Sequence, residues 1–298
     1  MKFLSQAVRR QHSEHAGAWK SEAFQRAYLH EPLRFCQGCH APETSPLRPP
    51  TPAAAATGVG CTSCHLETGE ARIWTAGEVL RLDEEVGCML PVARSPAFAG
   101  PQACAGCHEF DFPDAALRRT PLLMQSTIRE HRASAQAERS CIDCHMPTGQ
   151  GHAFPGAHDA EMLRRSLTIH ATRDDEGVTL ELRPGAVGHM VPTGDLFRRL
   201  EVELLAIDDH GQARSLGRRW LGRRFAPRPQ TDGLVVRQEI EDGRVGPAGR
   251  RLRFSPVALY RGERLRWRVL HQRVLHAGAD PRQVVLDGEI ELAAGGID

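Results

Sequence analysis

Large rings are scarce in this chain. Phe, Trp and Tyr together make up 5% of its 298 residues, and 2 of them are Tyr. A chain of this length builds one or two domains, and so few rings point to an interior filled in part by something other than side chains. Lysine is nearly missing: Lys2 and Lys20 stand against 36 Arg, out of 38 basic side chains. One reading is compositional bias of the source genome. The other is that guanidinium forks pair with buried carboxylates. Charge of one sign is also absent. The formal net charge of +1 excludes the strongly basic footprint of a general nucleic-acid binder. No run of eighteen apolar residues occurs, so no segment reads as a membrane-spanning helix. The opening, MKFLSQAVRRQHSEH, lacks the apolar stretch of a secretory signal.

Cysteine is present, and in a pattern. Eight of the 9 Cys fall into four copies of Cys-x-x-Cys-His: Cys36-Gln-Gly-Cys39-His40, Cys61-Thr-Ser-Cys64-His65, Cys104-Ala-Gly-Cys107-His108 and Cys141-Ile-Asp-Cys144-His145. Two cysteines three positions apart reach the two vinyl groups of a haem and form thioethers, and the adjacent imidazole then lies under the iron. Four Cys-x-x-Cys pairs could instead build two four-cysteine zinc sites, and a redox dithiol shares the spacing. Neither explains a histidine after every pair. With 15 His in the chain, four such coincidences have odds on the order of one in a hundred thousand. The motifs therefore read as sites for four covalently attached haem c groups, which also gives the arginine forks a partner in haem propionates. Cys88, in EEVGCMLPV, is the odd cysteine. It reads as a buried free thiol, with a ligand or a partner disulfide as the other reading.

The motifs start 25, 43 and 37 residues apart and all lie before residue 146. About forty residues per haem cannot wrap each one separately, so the haems must pack together and form much of the core. Residues 41–57, APETSPLRPPTPAAAAT, read as a loop, because their prolines forbid a central strand or a long helix. Two helices are expected. One spans 13–29, capped by Ser13, with Trp19, Ala23, Phe24 and Ala27 at helical spacing. The other spans 121–136, capped by Thr120 with Pro121 first, and places Met124, Ile128, His131 and Ala135 on one face. After about residue 160 the pattern changes to short alternating or β-branched runs: SLTIHA, GVTLEL, LEVELLAI, LVVRQEI, ERLRWRVL and QVVLDGEIEL. Turn signals at 184–185, 208–211, 232–233, 242–243 and 287–288 separate them. The expected class is α+β. A mostly irregular and α-helical tetrahaem domain (1–160) precedes an all-β, immunoglobulin-like sandwich (161–298).

Each iron takes a proximal imidazole from its motif: His40, His65, His108 and His145. The opposite face decides function, since a second His gives a six-coordinate electron carrier and an open face gives a substrate site. Candidates for that face are His131, on the apolar side of the second expected helix; His152 or His158, in the constrained GHAFPGAHD; His189, in VGHMVPTGD; and His15 (or His12) on the first helix. His210 reads as solvated, and His271 and His276 as structural. Met89, Met124, Met146, Met162 and Met190 read as packing rather than ligands.

HAGAWKSEAF before CQGCHAPE, then GVGCTSCH, MQSTIREH, CIDCHMP, GHAFPGAHD and GHMVPTGD together resemble the multihaem cytochromes c, in the superfamily that includes the tetrahaem electron acceptor of hydroxylamine oxidoreductase. The resemblance covers about residues 10–160; GHMVPTGD resembles the start of β-sandwich domains fused to such cytochromes. It implies mostly bis-His ligation, closely stacked porphyrins, and electron transfer between redox protein partners of a respiratory chain in the periplasm or outside the cell. The haem signature outranks the missing signal as a guide to location. The Cys-x-x-Cys-Lys variant of pentahaem nitrite reductase is absent, which favours a carrier over an enzyme. Two alternatives stay open: an oxidoreductase acting on a small nitrogen or sulfur oxyanion at one five-coordinate haem, and a protomer of a homo-oligomeric extracellular filament. Intact-mass spectrometry of the mature protein should show the polypeptide plus four haem groups, and plus three in Cys141→Ala/Cys144→Ala.

Overall fold

The computed structural model describes residues 8–30, 32–45, 47–66, 73–75, 92–111, 122–148, 151–229, 231, 233, 235–255, 258–273 and 283–290. Thr120, Pro121, Cys88, Met89 and His276 lie outside them. The chain divides into two compact units, one of residues 1–113 with 137–156, the other of residues 114–136 with 157–298. Helices are numbered in chain order: α1 Glu22–His30, α2 Gln37–His40, α3 Pro52–Thr57, α4 Cys61–His65, α5 Gln102–His108, α6 Thr127–Arg132, α7 Cys141–His145 and α8 Ala160–Arg165. Strands β1 Ile73–Thr75 and β2 Val92–Arg94 form a parallel pair in the first unit, and β3 is Glu109–Asp111.

In the first unit each Cys-x-x-Cys-His closes a short helix: α2, α4, α5 and α7 all end on the motif histidine. A helical turn brings positions i, i+3 and i+4 onto one face, so both sulfurs and the imidazole face the same way. Capping fixes where these turns begin. Ser140 Oγ accepts from Ile142 N (3.1 Å), while Asp143 Oδ2 accepts from Ser140 N (2.8 Å). Glu43 accepts from the hydroxyls of Thr62 and Ser63 and from Ser63 N at the start of α4.

The helix expected over 13–29 is α-helical only from Glu22. Upstream carbonyls are diverted to other partners: Ala18 O accepts from the His40 imidazole (2.8 Å) and His15 O from Val59 N (2.9 Å). The loop expected over 41–57 ends in α3, where Thr51 caps an Ala-rich turn opened by Pro52. The helix expected over 121–136 splits into β4 (Leu123–Ser126) and α6. Arg223 donates to Leu123 O (2.8 Å), holding the backbone extended. Met124 therefore leaves the helical face, although Ile128 and His131 are both buried on α6 as expected.

The second unit carries a three-stranded sheet, β10-β6-β5, and a five-stranded sheet, β12-β11-β7-β8-β9. Here β5 is Leu167–Asp174, β6 Gly177–Pro184, β7 Arg199–Ile207, β8 Ala213–Pro229, β9 Val235–Asp242, β10 Arg250–Phe254, β11 Arg264–Gln272 and β12 Gln283–Ile290. All pairings are antiparallel. Six of the eight strands coincide with the alternating runs. Strands β8 and β10 do not, because adjacent arginines, falling on both faces, blur the period. Asp287-Gly288 is not a turn but lies inside β12; a Cβ on Gly288 would come within 2.6 Å of the Trp267 indole, so the strand needs glycine there. The two sheets share one core, with Val178, Leu180, Leu182, Leu200, Val202, Leu204, Val269 and Phe254 at its centre. The fold class is α+β.

Arginine forks in this unit pair with the chain's own carboxylates. Arg218 bonds Glu201 (2.6 Å) and Glu203 (2.7 Å), and Arg268 also bonds Glu203; both glutamates are buried. Arg244, 6% exposed, joins Glu130 (2.6 Å) to Asp242 (2.7 Å). Burial alone would raise the Glu130 carboxyl, but Arg244 and the hydroxyls of Ser126 and Thr193 hold it below its ordinary range. Asp242 is likewise held low against its burial by Arg244. Carboxyls depressed in the folded state contribute stability in full above their unfolded pKa of about 4, and lose it as pH falls through the folded values. Arg244→Met should therefore destabilise the protein by about 3–5 kcal/mol at neutral pH. Denaturant unfolding should show the loss shrinking towards acid pH as the stranded Glu130 takes up a proton.

Candidate metal centre

Among its described residues the first unit has almost no apolar core: the buried apolar side chains are Ala16, Ala41, Val59, Ala93 and Pro155, all small. What its elements converge on instead is histidine, cysteine and phenylalanine. His40 Nδ1 donates to Ala18 O (2.8 Å), His65 Nδ1 to Trp74 O (2.7 Å) and His145 Nδ1 to Pro155 O (2.7 Å). A carbonyl can only accept, so each ring carries its proton on Nδ1. That fixes the tautomer and leaves Nε2 as the basic nitrogen, the arrangement of metal-ligating imidazoles. Phe24 stacks on His40 with centroids 3.7 Å apart and planes at 13°, and Phe98 leans on His65 at 5.1 Å.

Two motif imidazoles face a second histidine. His15 and His108 have centroids 6.3 Å apart, and His65 and His152 are 5.9 Å apart. Two imidazoles sharing one metal through bonds of about 2 Å each place their centroids about 6 Å apart. Phe154 stands between the two second histidines, 4.4 Å from His15 and 5.7 Å from His152. It does so at φ 48°, a left-handed conformation that costs a bulky residue energy and recurs at functional sites. Residues 152–155 thus serve three motifs: His152 faces His65, Phe154 packs on His15, and the Pro155 carbonyl seats His145. Burial lowers the His152 pKa, with His65 and Arg10 adding to the effect, so the ring is neutral and basic at neutral pH.

The motif thiols also converge. Cys39 bonds Cys107, which pushes Cys39 up together with its burial, and Cys104 is raised in the same way by Cys141 and burial. A cavity of about 350 Å³ opens beside the second motif, lined by Cys64, Leu66, Trp74, Ser95, Ala97, Phe98 and Ala103. Paired sulfurs, an oriented imidazole, a facing imidazole and an apolar wall form the donor set and surroundings that haem c requires. The residues present fit that group.

No protein-family model matches the chain, and no curated protein matches it either. Among solved structures it is similar to a penta-heme cytochrome c552 from Thermochromatium tepidum, with a TM-score of 0.69 and 20% identity over 96% of each chain. The chain has the fold of a multihaem cytochrome c.

Of the second histidines expected from sequence, His15 and His152 stand opposite motif imidazoles. His131, His158 and His189 belong to the second unit. There His131 is 7% exposed, with no hydrogen-bond partner for its buried Nδ1 and with Gly188 packed against its ring. His189 donates from Nδ1 to Met190 O (3.0 Å), and His158 is exposed. His12 and His210 are exposed. His271 faces the β core, where burial pushes its pKa down to about 3, with Arg198 and Arg273 adding to the effect. Sequence reasoning missed Phe24, Phe98 and Phe154. Phe154 carried the one available signal, a ring beside a candidate ligand in a Gly/Pro-bounded loop. His152→Ala should expose one metal face, so the loaded protein gains a single high-spin iron that binds carbon monoxide, whereas His158→Ala leaves the absorption spectrum unchanged.

Proposed function

We propose that the protein is a tetrahaem c-type cytochrome that passes electrons between redox protein partners outside the cytoplasm. The observation that carries this is the common seating of His40, His65 and His145, each with Nδ1 tied to a backbone carbonyl and Nε2 left for a metal. Cys36/Cys39, Cys61/Cys64, Cys104/Cys107 and Cys141/Cys144 would hold the four haems as thioethers, with His40, His65, His108 and His145 as proximal ligands. His15 would complete the iron of His108, and His152 that of His65. The bound haem supplies one-electron chemistry at iron. The chain's own part is to keep each ligand in one tautomer, hold ligand pairs at fixed spacing, and pack apolar walls such as Phe98 and Trp74 that limit water.

Histidine on both faces favours low-spin iron at lower potential than His/Met ligation would give. At the irons of His108 and His65 it would also leave no coordination position for a substrate, which favours a carrier over an oxidoreductase. The solved neighbour is a five-haem protein, whereas this chain has four Cys-x-x-Cys-His motifs, so the proposal is for four haems. The electron paramagnetic resonance spectrum of the oxidised protein should contain only low-spin ferric signals, unchanged by nitrite, hydroxylamine or cyanide. A high-spin signal that responds to those ligands would overturn the carrier reading in favour of a catalytic haem.

A further inference from the structure

We infer that the third motif, Cys104–His108, is the junction of the array, so that the haem it holds would adjoin all three of the others. This rests on the cytochrome reading above and adds to it an order in space. Three sets of contacts lead to it, one for each of the other motifs.

Towards the first motif, the Cys107 thiol bonds Cys39, and Phe110, just beyond His108, packs edge-on against Phe35, just before Cys36, at 5.3 Å. On the side of the fourth motif, Cys104 bonds Cys141. Ser140, which opens α7, donates to the carbonyl of Ala99 (2.6 Å), ahead of α5. The second motif reaches the same place. Cys64 lies within electrostatic reach of Cys107 and Cys104, and Phe98, six residues before Cys104, packs on His65 at 5.1 Å. The first and fourth motifs therefore meet the third through sulfur and through flanking residues, and the second meets it through its imidazole.

The ligand opposite His108 is built into the same crossing. The carbonyl of His15 accepts from Val59 N (2.9 Å), two residues before Cys61. Gly58 adopts φ 60°, where a Cβ would come within 2.5 Å of the Ala16 carbonyl, so glycine is required for this approach. Phe154 from the loop after the fourth motif packs on the His15 ring at 4.4 Å. Because the sulfurs would be the covalent attachment points, their convergence would bring the attachment sites together. The bound haems would supply one-electron chemistry, with a reduced redox protein giving the electron and an oxidised one removing it. His15 would ligate the iron of the third site and so set its potential.

The test uses the full-length loaded protein carrying His15→Met, with haem content confirmed by mass. Methionine raises the potential of the iron it ligates, so the third-motif haem should take the first electron. Reducing each chain by one electron should then sharpen all three remaining ferric resonance signals together, because each loses its paramagnetic neighbour. Sharpening of only one or two signals, or no upward shift of any potential, would overturn the junction. If the variant does not retain four haems, the crystal structure of the loaded wild-type protein decides. The third-motif haem must be in van der Waals contact with all three others, and contact with two or fewer overturns the proposal. Failure of the cytochrome reading is distinguishable from both, because the wild-type protein would then carry no covalent haem.

Discussion

Among the described residues of the first unit the buried apolar side chains are three alanines, a valine and a proline, little surface to set against the entropy of ordering their backbone. The second unit has the opposite character, with a continuous core of Leu, Val, Phe and Trp between two antiparallel sheets. The two halves therefore fold under different rules. One collapses on side chains already present. The other is proposed to collapse on apolar macrocycles tied in through eight sulfurs, with four short helices, each ending on a motif histidine, presenting those attachment points.

Economy of this kind forces short segments to serve several sites. Residues 152–155 supply a facing imidazole, a packing ring and a seating carbonyl to three different motifs. The stretch from His15 to Phe24 supplies a facing imidazole for His108 and a carbonyl and a ring for His40. The left-handed Phe154 fits this picture. A bulky residue is held in a costly conformation because the surroundings on both sides over-determine it. Local rules are broken where the site needs them broken.

That also explains what could be read from sequence. The four Cys-x-x-Cys-His motifs are local in the chain and each ends a short helix, and six strands of the two sheets were legible, their alternation recording one buried face. The helix expected over 13–29 stops short because its carbonyls serve His40 and Val59, partners 22 and 44 residues away that no local pattern reveals. Arginine hid β8: Arg218, Arg223 and Arg224 fall on both of its faces, their guanidinium groups paired with Glu201, Glu203, Glu239 and Glu241. His15 and His152 could be named as candidates, but pairing them with His108 and His65 needed three dimensions.

The three seating carbonyls also have a direction. The partner of His40 is Ala18, upstream of its motif, whereas His65 and His145 depend on Trp74 and Pro155, downstream of theirs. A polypeptide emerging from a translocation pore with its amino end leading presents the first imidazole with its seat already delivered. The second and fourth must wait for about ten more residues to follow. For the exported cytochrome proposed above, maturation would have a built-in order: the first site would be seated on a nascent segment, and the loop at 152–155 would be the last of the seats to arrive.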